Sequence, residues 1–70
     1  MRIQYDKQAD AMYIYLREKG KIEKTVKVNE NILVDIDKKG NIVGIEILGV
    51  SEQIPQKEFS KFSMEMPVYT

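Results

Sequence analysis

Apolar and polar residues alternate with a period of two along most of the chain, a pattern typical of half-buried β-strands. The alternation predicts five strands separated by short polar turns, over residues 2–6, 12–16, 22–28, 32–37 and 41–48. In the second of them, Met12, Ile14 and Leu16 are predicted to share one face, and Tyr13 and Tyr15 the other.

The last two predicted strands form a hairpin around Lys38-Lys39-Gly40, with Gly40 supplying the positive φ of a G1 bulge. This loop predicts a register in which Ile36 faces Ile42, Val34 faces Gly44, and Leu33 faces Ile45. One face would then carry Ile32, Val34, Ile36, Ile42 and Leu48, and the other Leu33, Val43, Ile45 and Ile47. A sheet with two apolar faces needs cover on both, so we expect another molecule to cover one.

The C-terminal residues lose the alternation. A turn is expected over Ser51–Pro55, followed by a short helix over Gln56–Ser63. Phe59, Phe62 and Met66 would form its apolar stripe, and Pro67 would end any helix. The predicted fold class is α+β, mostly β: an antiparallel β-meander of about five strands with a short C-terminal helix, in one domain spanning residues 1–70.

Composition favours self-association. The chain has 70 residues with 0 Cys and 0 His, so disulfides and structural zinc cannot support its small core. The formal net charge is +0, which gives no overall attraction to nucleic acid or to an anionic membrane. No apolar run is long enough to span a membrane, and a cytoplasmic location is expected by default.

Candidate catalytic groups are few. Without His or Cys, no Ser–His or Cys–His pair exists. Asp35 and Glu46 are placed on opposite faces by the predicted register, and Asp6 and Asp10 are expected to bond backbone groups of a turn. We therefore predict no enzyme, no catalytic residue and no cofactor.

A calcium loop is the sharpest alternative for residues 35–46. Asp35, Asp37, Gly40 and Glu46 match the spacing of such a loop, but Lys39 occupies a ligand position and a strand precedes the motif. The hairpin is favoured, and no metal site is predicted.

A second alternative is a small nucleic-acid-binding module that uses the basic hairpin Arg17–Lys27 beside Tyr13 and Tyr15. Glu18 and Glu23 dilute its charge, so nucleic acid is not favoured as a partner. A third alternative, favoured least, is an enzyme whose site forms only between subunits.

Several blocks of the sequence together resemble a known family. They are Tyr5-Asp6, Ala9–Ile14, Val34–Asp37 with Gly40, Ile42–Leu48 and Ser51. Over residues 3–51 or so, the chain resembles the prokaryotic family called domain of unknown function 2283. The resemblance implies a stand-alone domain without an established activity. Because some members look as if they are encoded beside small toxin-like proteins, it also implies an antitoxin-like or accessory role with a small protein partner.

The leading hypothesis is a non-enzymatic protein–protein interaction domain that forms a homodimer through an apolar sheet face. Exposed tyrosines commonly anchor protein contacts, although the C-terminal residues could equally cover them. The predicted interface residues are Tyr5, Tyr13, Tyr15, Val43, Ile45 and Ile47.

Overall fold

A computed structural model describes residues 1–66 and contains five β-strands and two short helices. The strands are β1 (Arg2–Asp6), β2 (Ala11–Tyr15), β3 (Lys24–Asn29), β4 (Ile32–Ile36) and β5 (Ile42–Leu48), and the helices are α1 (Val50–Gln53) and α2 (Gln56–Phe59). All strand pairs are antiparallel. The predicted fold class is confirmed, and each predicted strand overlaps an observed one.

The strand order is β1-β2-β5-β4-β3, which departs from a simple meander. After β2, residues 16–23 carry the chain to the far edge of the sheet, and β5 returns to pair with both β2 and β4. The central position suits β5, the most aliphatic and best buried strand, whereas β1 and β3 are exposed along their whole length. Polar and charged residues on those two strands are typical of sheet edges.

The hairpin between β4 and β5 begins as predicted and then changes register. Gly40 has φ 87°, and the Asp37 N–H donates to the Asn41 carbonyl at 2.9 Å. Ile36 faces Ile42 as expected, but the next pairs are Asp35–Gly44, Val34–Ile45 and Leu33–Glu46. The predicted pairs Val34–Gly44 and Leu33–Ile45 are therefore wrong.

A bulge at Val43 causes this shift. Val43 is an extra residue on β5, and its carbonyl accepts hydrogen bonds from the backbone N–H groups of both Leu16 and Arg17. Its side chain is 4% exposed and lies against Gly20 of the long connection, where a Cβ would come within 2.8 Å of it. A tertiary contact therefore favours the bulge, which reverses the facing of every later residue of β5.

The consequence is a sheet with one apolar and one polar face. A row of directly opposed aliphatic residues crosses all five strands: Ile3, Ile14, Ile45, Val34 and Val26. Tyr5, Met12, Ile47 and Ile32 form a second row on this side, which we call the apolar face. The opposite side, the polar face, carries Arg2, Gln4, Tyr13, Tyr15, Thr25, Lys27, Leu33, Asp35, Gly44 and Glu46. The prediction of two apolar faces is wrong.

The C-terminal residues also differ from expectation. α1 replaces the predicted turn, and α2 ends at Phe59, four residues before the predicted helix end. Residues 61–66 have no regular secondary structure, and within them Phe62, Met64 and Met66 alternate with Ser63 and Glu65. This period of two favours extended chain over a helical stripe. The helix stop expected at Pro67 lies outside the described residues.

No helix within residues 1–66 has the length and apolar character needed to cross a lipid bilayer.

Candidate interaction surfaces

The apolar face is only partly covered by the chain itself. Among residues 1–66, the buried apolar side chains are Val43 and Val50, and every row residue of the apolar face retains exposed area. Ile3, Tyr5 and Val26, near the two sheet edges, are 40%, 40% and 38% exposed. The aliphatic rows of the apolar face are therefore still in contact with solvent.

Part of the apolar face is covered by α2 and by the residues that follow it. We call residues 60–66 the C-terminal segment. The Phe59 ring packs on Tyr5 with ring centroids 5.3 Å apart. Beside it lies an open groove of about 1250 Å³, lined by β1 and β2 residues such as Ile3 and Met12 and by Phe62 and Met64. The C-terminal segment thus borders the apolar face at the β1–β2 edge without filling the space.

The opposite edge is bare. The lining of the groove comes from Met1, β1, β2, the turn residue Lys7 and the residues from Ser51 onward. At the far edge of the sheet, Val26 of β3 lies outside this lining and is 38% exposed. The apolar face is covered along one edge and open towards β4 and β3.

Hydrogen bonds to Asp10 hold the start of α1 against the sheet. Its carboxylate accepts from the Ser51 hydroxyl at 2.7 Å, the Ser51 N–H at 3.0 Å and the Tyr5 hydroxyl at 2.8 Å. Its carbonyl accepts from the Val50 N–H at 3.0 Å, and its φ is 50°, a conformation that Asp tolerates better than most residues. The hydrogen bonds from Ser51 and Tyr5 lower the pKa of Asp10. The bond to Asp10 correspondingly raises the pKa of Tyr5.

This arrangement explains the two turn carboxylates without acid–base chemistry. Asp6 accepts from the backbone N–H groups of Gln8 and Ala9, as the sequence predicts for a turn residue. The partnership of Asp10 with Ser51 was not predicted, because 41 residues separate them. The sequence signal for this contact was that Asp10 and Ser51 both belong to the blocks that resemble the family.

The polar face is crossed by a network centred on Asp35. Tyr13 from β2 reaches over Gly44 of β5 and donates its hydroxyl to Asp35 of β4, which also accepts from the Thr25 hydroxyl of β3 at 2.5 Å. A Cβ at residue 44 would overlap the Tyr13 ring, so glycine is required for this crossing. Burial, followed by the hydrogen bond to Asp35, raises the pKa of Tyr13 to about 12.

Aromatic and charged groups extend this network to β1. The Tyr15 ring lies 4.4 Å from the Tyr13 ring, and the Arg2 guanidinium sits 3.8 Å above Tyr15, in the range of a cation–π contact. Arg2 also pairs with Glu18 at 3.0 Å, and this hydrogen bond raises the pKa of Arg2 and lowers that of Glu18. Arg2, Tyr13, Tyr15, Thr25 and Asp35 thus find partners within the chain.

The predicted interface residues do not share one surface. Tyr5, Ile45 and Ile47 lie on the apolar face, whereas Tyr13 and Tyr15 belong to the network of the polar face. Val43 is buried beneath the long connection. The apolar face gains Ile14 and Val34, both directly opposite Ile45, and the incorrect register had put Val34 on the other side from Ile45.

The structure also locates the remaining candidate residues that the sequence suggested. Asp35 and Glu46 lie on the same face, contrary to the predicted separation, because of the bulge. The segment proposed as a calcium loop is the β4–β5 hairpin, and Asp37 caps it by accepting from the N–H groups of Lys39 and Asn41. In the described residues, no group of three Asp or Glu is arranged to hold a metal. The prediction of a basic hairpin over Arg17–Lys27 is wrong, because this stretch is the connection from β2 to β3, which do not pair, and the start of β3. Its Lys27 pairs with Glu30 at 3.3 Å.

The comparisons with known proteins agree with the family-like blocks. A family model described as protein of unknown function DUF2283 matches residues 2–51. The chain belongs to this family. The part of the chain that matches the DUF2283 model contains the whole sheet, Asp10 and Ser51. It ends within α1, before α2 and the C-terminal segment.

A similar curated protein is the uncharacterized protein MJ0789 of Methanocaldococcus jannaschii, 40% identical over 52 residues. The aligned part is 74% of this chain and 43% of that protein, so this DUF2283 chain spans less than half the length of its relative. No solved structure matches the chain. Neither the family description nor the relative's name states an activity.

Proposed function

We propose that this DUF2283 protein is a non-enzymatic interaction domain that self-associates by packing its apolar face on the same face of a second copy. The observation that carries the proposal is the row Ile3–Ile14–Ile45–Val34–Val26, aliphatic from edge to edge and incompletely covered. Exposed apolar patches of this extent on a soluble domain are typical of protein contacts.

The exposed area supports a partner of this size. The chain exposes 6019 Å², roughly 1,500 Å² more than the ~4,500 Å² expected for a compact monomer of its mass. An obligate homodimer buries about 1,000 Å² or more on each subunit. The excess exposed area therefore has the magnitude that dimer formation removes.

The shape of the molecule supports the same conclusion. Its radius of gyration is 13.7 Å and its extents are 37 × 37 × 19 Å, whereas a compact chain of this length has a radius near 11 Å. One sheet with a thin partial cover gives such a slab. Two slabs that meet through their apolar faces would form a two-layer arrangement with a shared apolar core between the sheets.

A second copy suits the face better than an unrelated partner. The opposed rows are almost entirely aliphatic, so a copy of the same face buries aliphatic area without leaving a buried charge unpaired. The chain has no Cys or His to stabilise a lone domain by other means. An antitoxin-like or accessory role would then be carried by the dimer towards a further small protein.

Two neighbouring aliphatic residues of β4 allow a matched test. Val34 lies on the apolar face and Leu33 on the polar face, and both are half-buried. We expect Val34→Glu to convert the dimer into a monomer, because a carboxylate would be buried opposite the partner's sheet. Leu33→Glu should leave the dimer intact. Sedimentation equilibrium of the wild type and both variants measures the outcome.

A milder variant guards against simple unfolding. Val26 ends the same row on the edge strand β3 and is 38% exposed, so Val26→Glu is tolerated more easily by the folded chain while still weakening association. Circular dichroism shows whether each variant keeps its sheet. A wild type that stays monomeric at high micromolar concentration overturns the proposal, as does a Leu33→Glu variant that dissociates as readily as Val34→Glu.

A further inference from the structure

We infer that the two-fold axis of this dimer runs parallel to the strands, so that the C-terminal segment of each copy packs against β3 and β4 of its partner. This inference rests on the proposed function, since it needs the two apolar faces to meet. It assigns a role to Phe62, Met64 and Met66, which are 68%, 53% and 67% exposed.

The first step is the uneven thickness of the molecule. At the β1–β2 edge, α2 and the C-terminal segment lie over the apolar face, with Phe59 on Tyr5 and Phe62 beside the groove. At the other edge, Val26 lies outside the groove formed by the described residues and is 38% exposed. In cross-section the chain is therefore a wedge, thick at β1 and thin at β3.

The second step is symmetry. Two copies that meet through one face have a two-fold axis lying between their sheets. If the axis runs perpendicular to the strands, β1 of one copy lies opposite β1 of the other, and the two C-terminal segments collide. If the axis runs parallel to the strands, β1 lies opposite the partner's β3, and thick edge meets thin edge.

The third step is the energetics of the two arrangements. Collision of the thick edges would hold the sheets apart at β3 and leave Val26 exposed to water, losing the burial that drives association. With the parallel axis, the apolar side of the C-terminal segment reaches Val26.

The chain contains no cysteine, which allows a direct test by disulfide cross-linking. We expect the double variant Val26→Cys with Phe62→Cys to become a covalent dimer after mild oxidation with diamide. The link must join two molecules, because β1 and β3 are four strand spacings apart, about 19 Å, and a disulfide spans a Cα separation of about 4.4–6.8 Å. Non-reducing electrophoresis and mass spectrometry of the linked peptides identify the product.

The two single variants are the controls. With the parallel axis, Val26→Cys alone and Phe62→Cys alone should each give several-fold less covalent dimer than the double variant. Efficient linking of Phe62→Cys to itself, or no link in a double variant that light scattering shows to be a dimer, overturns the inference and leaves the proposed function standing. A wild type that light scattering shows to be monomeric overturns the proposed function instead.

Discussion

The two faces of this sheet satisfy their side chains in different ways. On the polar face, Tyr13 and Thr25 both donate hydrogen bonds to Asp35, and Arg2 stacks on Tyr15 while pairing with Glu18. On the apolar face, five aliphatic residues form one row across the sheet and remain partly exposed. These side chains of the polar face are bonded within the chain, whereas we propose that the apolar face is covered by a second copy.

A single extra residue produces this difference. Without the bulge at Val43, Ile45 and Ile47 would point away from Val34, and aliphatic residues would be divided between both sides. The bulge gathers them on one side and places Gly44 and Glu46 on the other. Gly44 in turn leaves the space through which Tyr13 reaches Asp35, so both faces depend on the same irregularity.

The largest expected effect comes from the centre of the apolar face. Ile45→Ala removes a residue of β5 that lies between Ile14 and Val34. We expect it to lower the free energy of unfolding by about 2–5 kcal/mol through lost burial and a residual cavity, and to weaken association. Urea denaturation at several protein concentrations measures both effects.

The neighbouring residue supplies the control. Glu46→Ala changes the adjacent position on the polar face and should alter the free energy of unfolding by no more than roughly 0.5 kcal/mol. The concentration dependence of its midpoint should match that of the wild type. Equal losses at the two positions would contradict the division into two faces.

A smaller effect is expected from filling the gap in the polar face. Gly44→Ala places a Cβ against the Tyr13 ring, which must move and give up its bond to Asp35. Overpacking of this kind typically costs about 1–3 kcal/mol, and we expect a loss of that size in thermal or urea unfolding. Association should be unchanged, because the substitution lies on the face away from the partner.

A double-mutant cycle isolates the contact. Tyr13→Ala removes the ring that a Cβ at residue 44 would strike, so adding Gly44→Ala to it should cost little. If the two substitutions are additive, the contact between Tyr13 and residue 44 is not the source of the loss.

Sequence reasoning recovered the features that depend on local signals. The alternation of Arg2–Asp6 and of Ile32–Ile36 marks strands, and Lys38-Lys39-Gly40 marks the hairpin loop with its positive φ. The bulge at Val43 could not be found this way, because it depends on packing against Gly20 and on hydrogen bonds to Leu16 and Arg17. The strand order depends on the same long-range contacts.

The same distinction between local signals and long-range contacts applies to the candidate site. The apolar character of Ile45, Ile47 and Val34 is visible in the sequence, but their shared face is not, since a one-residue shift reverses it. Phe62, Met64 and Met66 recur with a period of two, which favours extended chain, whereas the predicted helical stripe rested on the spacing of Phe59, Phe62 and Met66.

The smallest expected effect concerns the ionisation of Tyr13. Its pKa is raised from 10.0 to about 12 by burial and by the bond to Asp35, so the folded state favours the neutral phenol. Below pH 10 both folded and unfolded chains carry it neutral, and its stabilising contribution is complete. As the pH rises from 10 towards 12 the unfolded chain ionises first, and this contribution is lost.

Spectrophotometric titration of tyrosinate can measure this ionisation. In the wild type we expect one tyrosine to ionise near pH 12, and Tyr13→Phe should remove that last step while leaving the others in place. Tyr15→Phe is the control, because it changes the neighbouring ring without removing the bond to Asp35. If Tyr13→Phe instead removes a tyrosine that ionises near pH 10, the hydroxyl is not held by Asp35. The polar face would then lack the hydrogen bond between Tyr13 and Asp35. The two faces would differ less in how fully their side chains are satisfied within the chain.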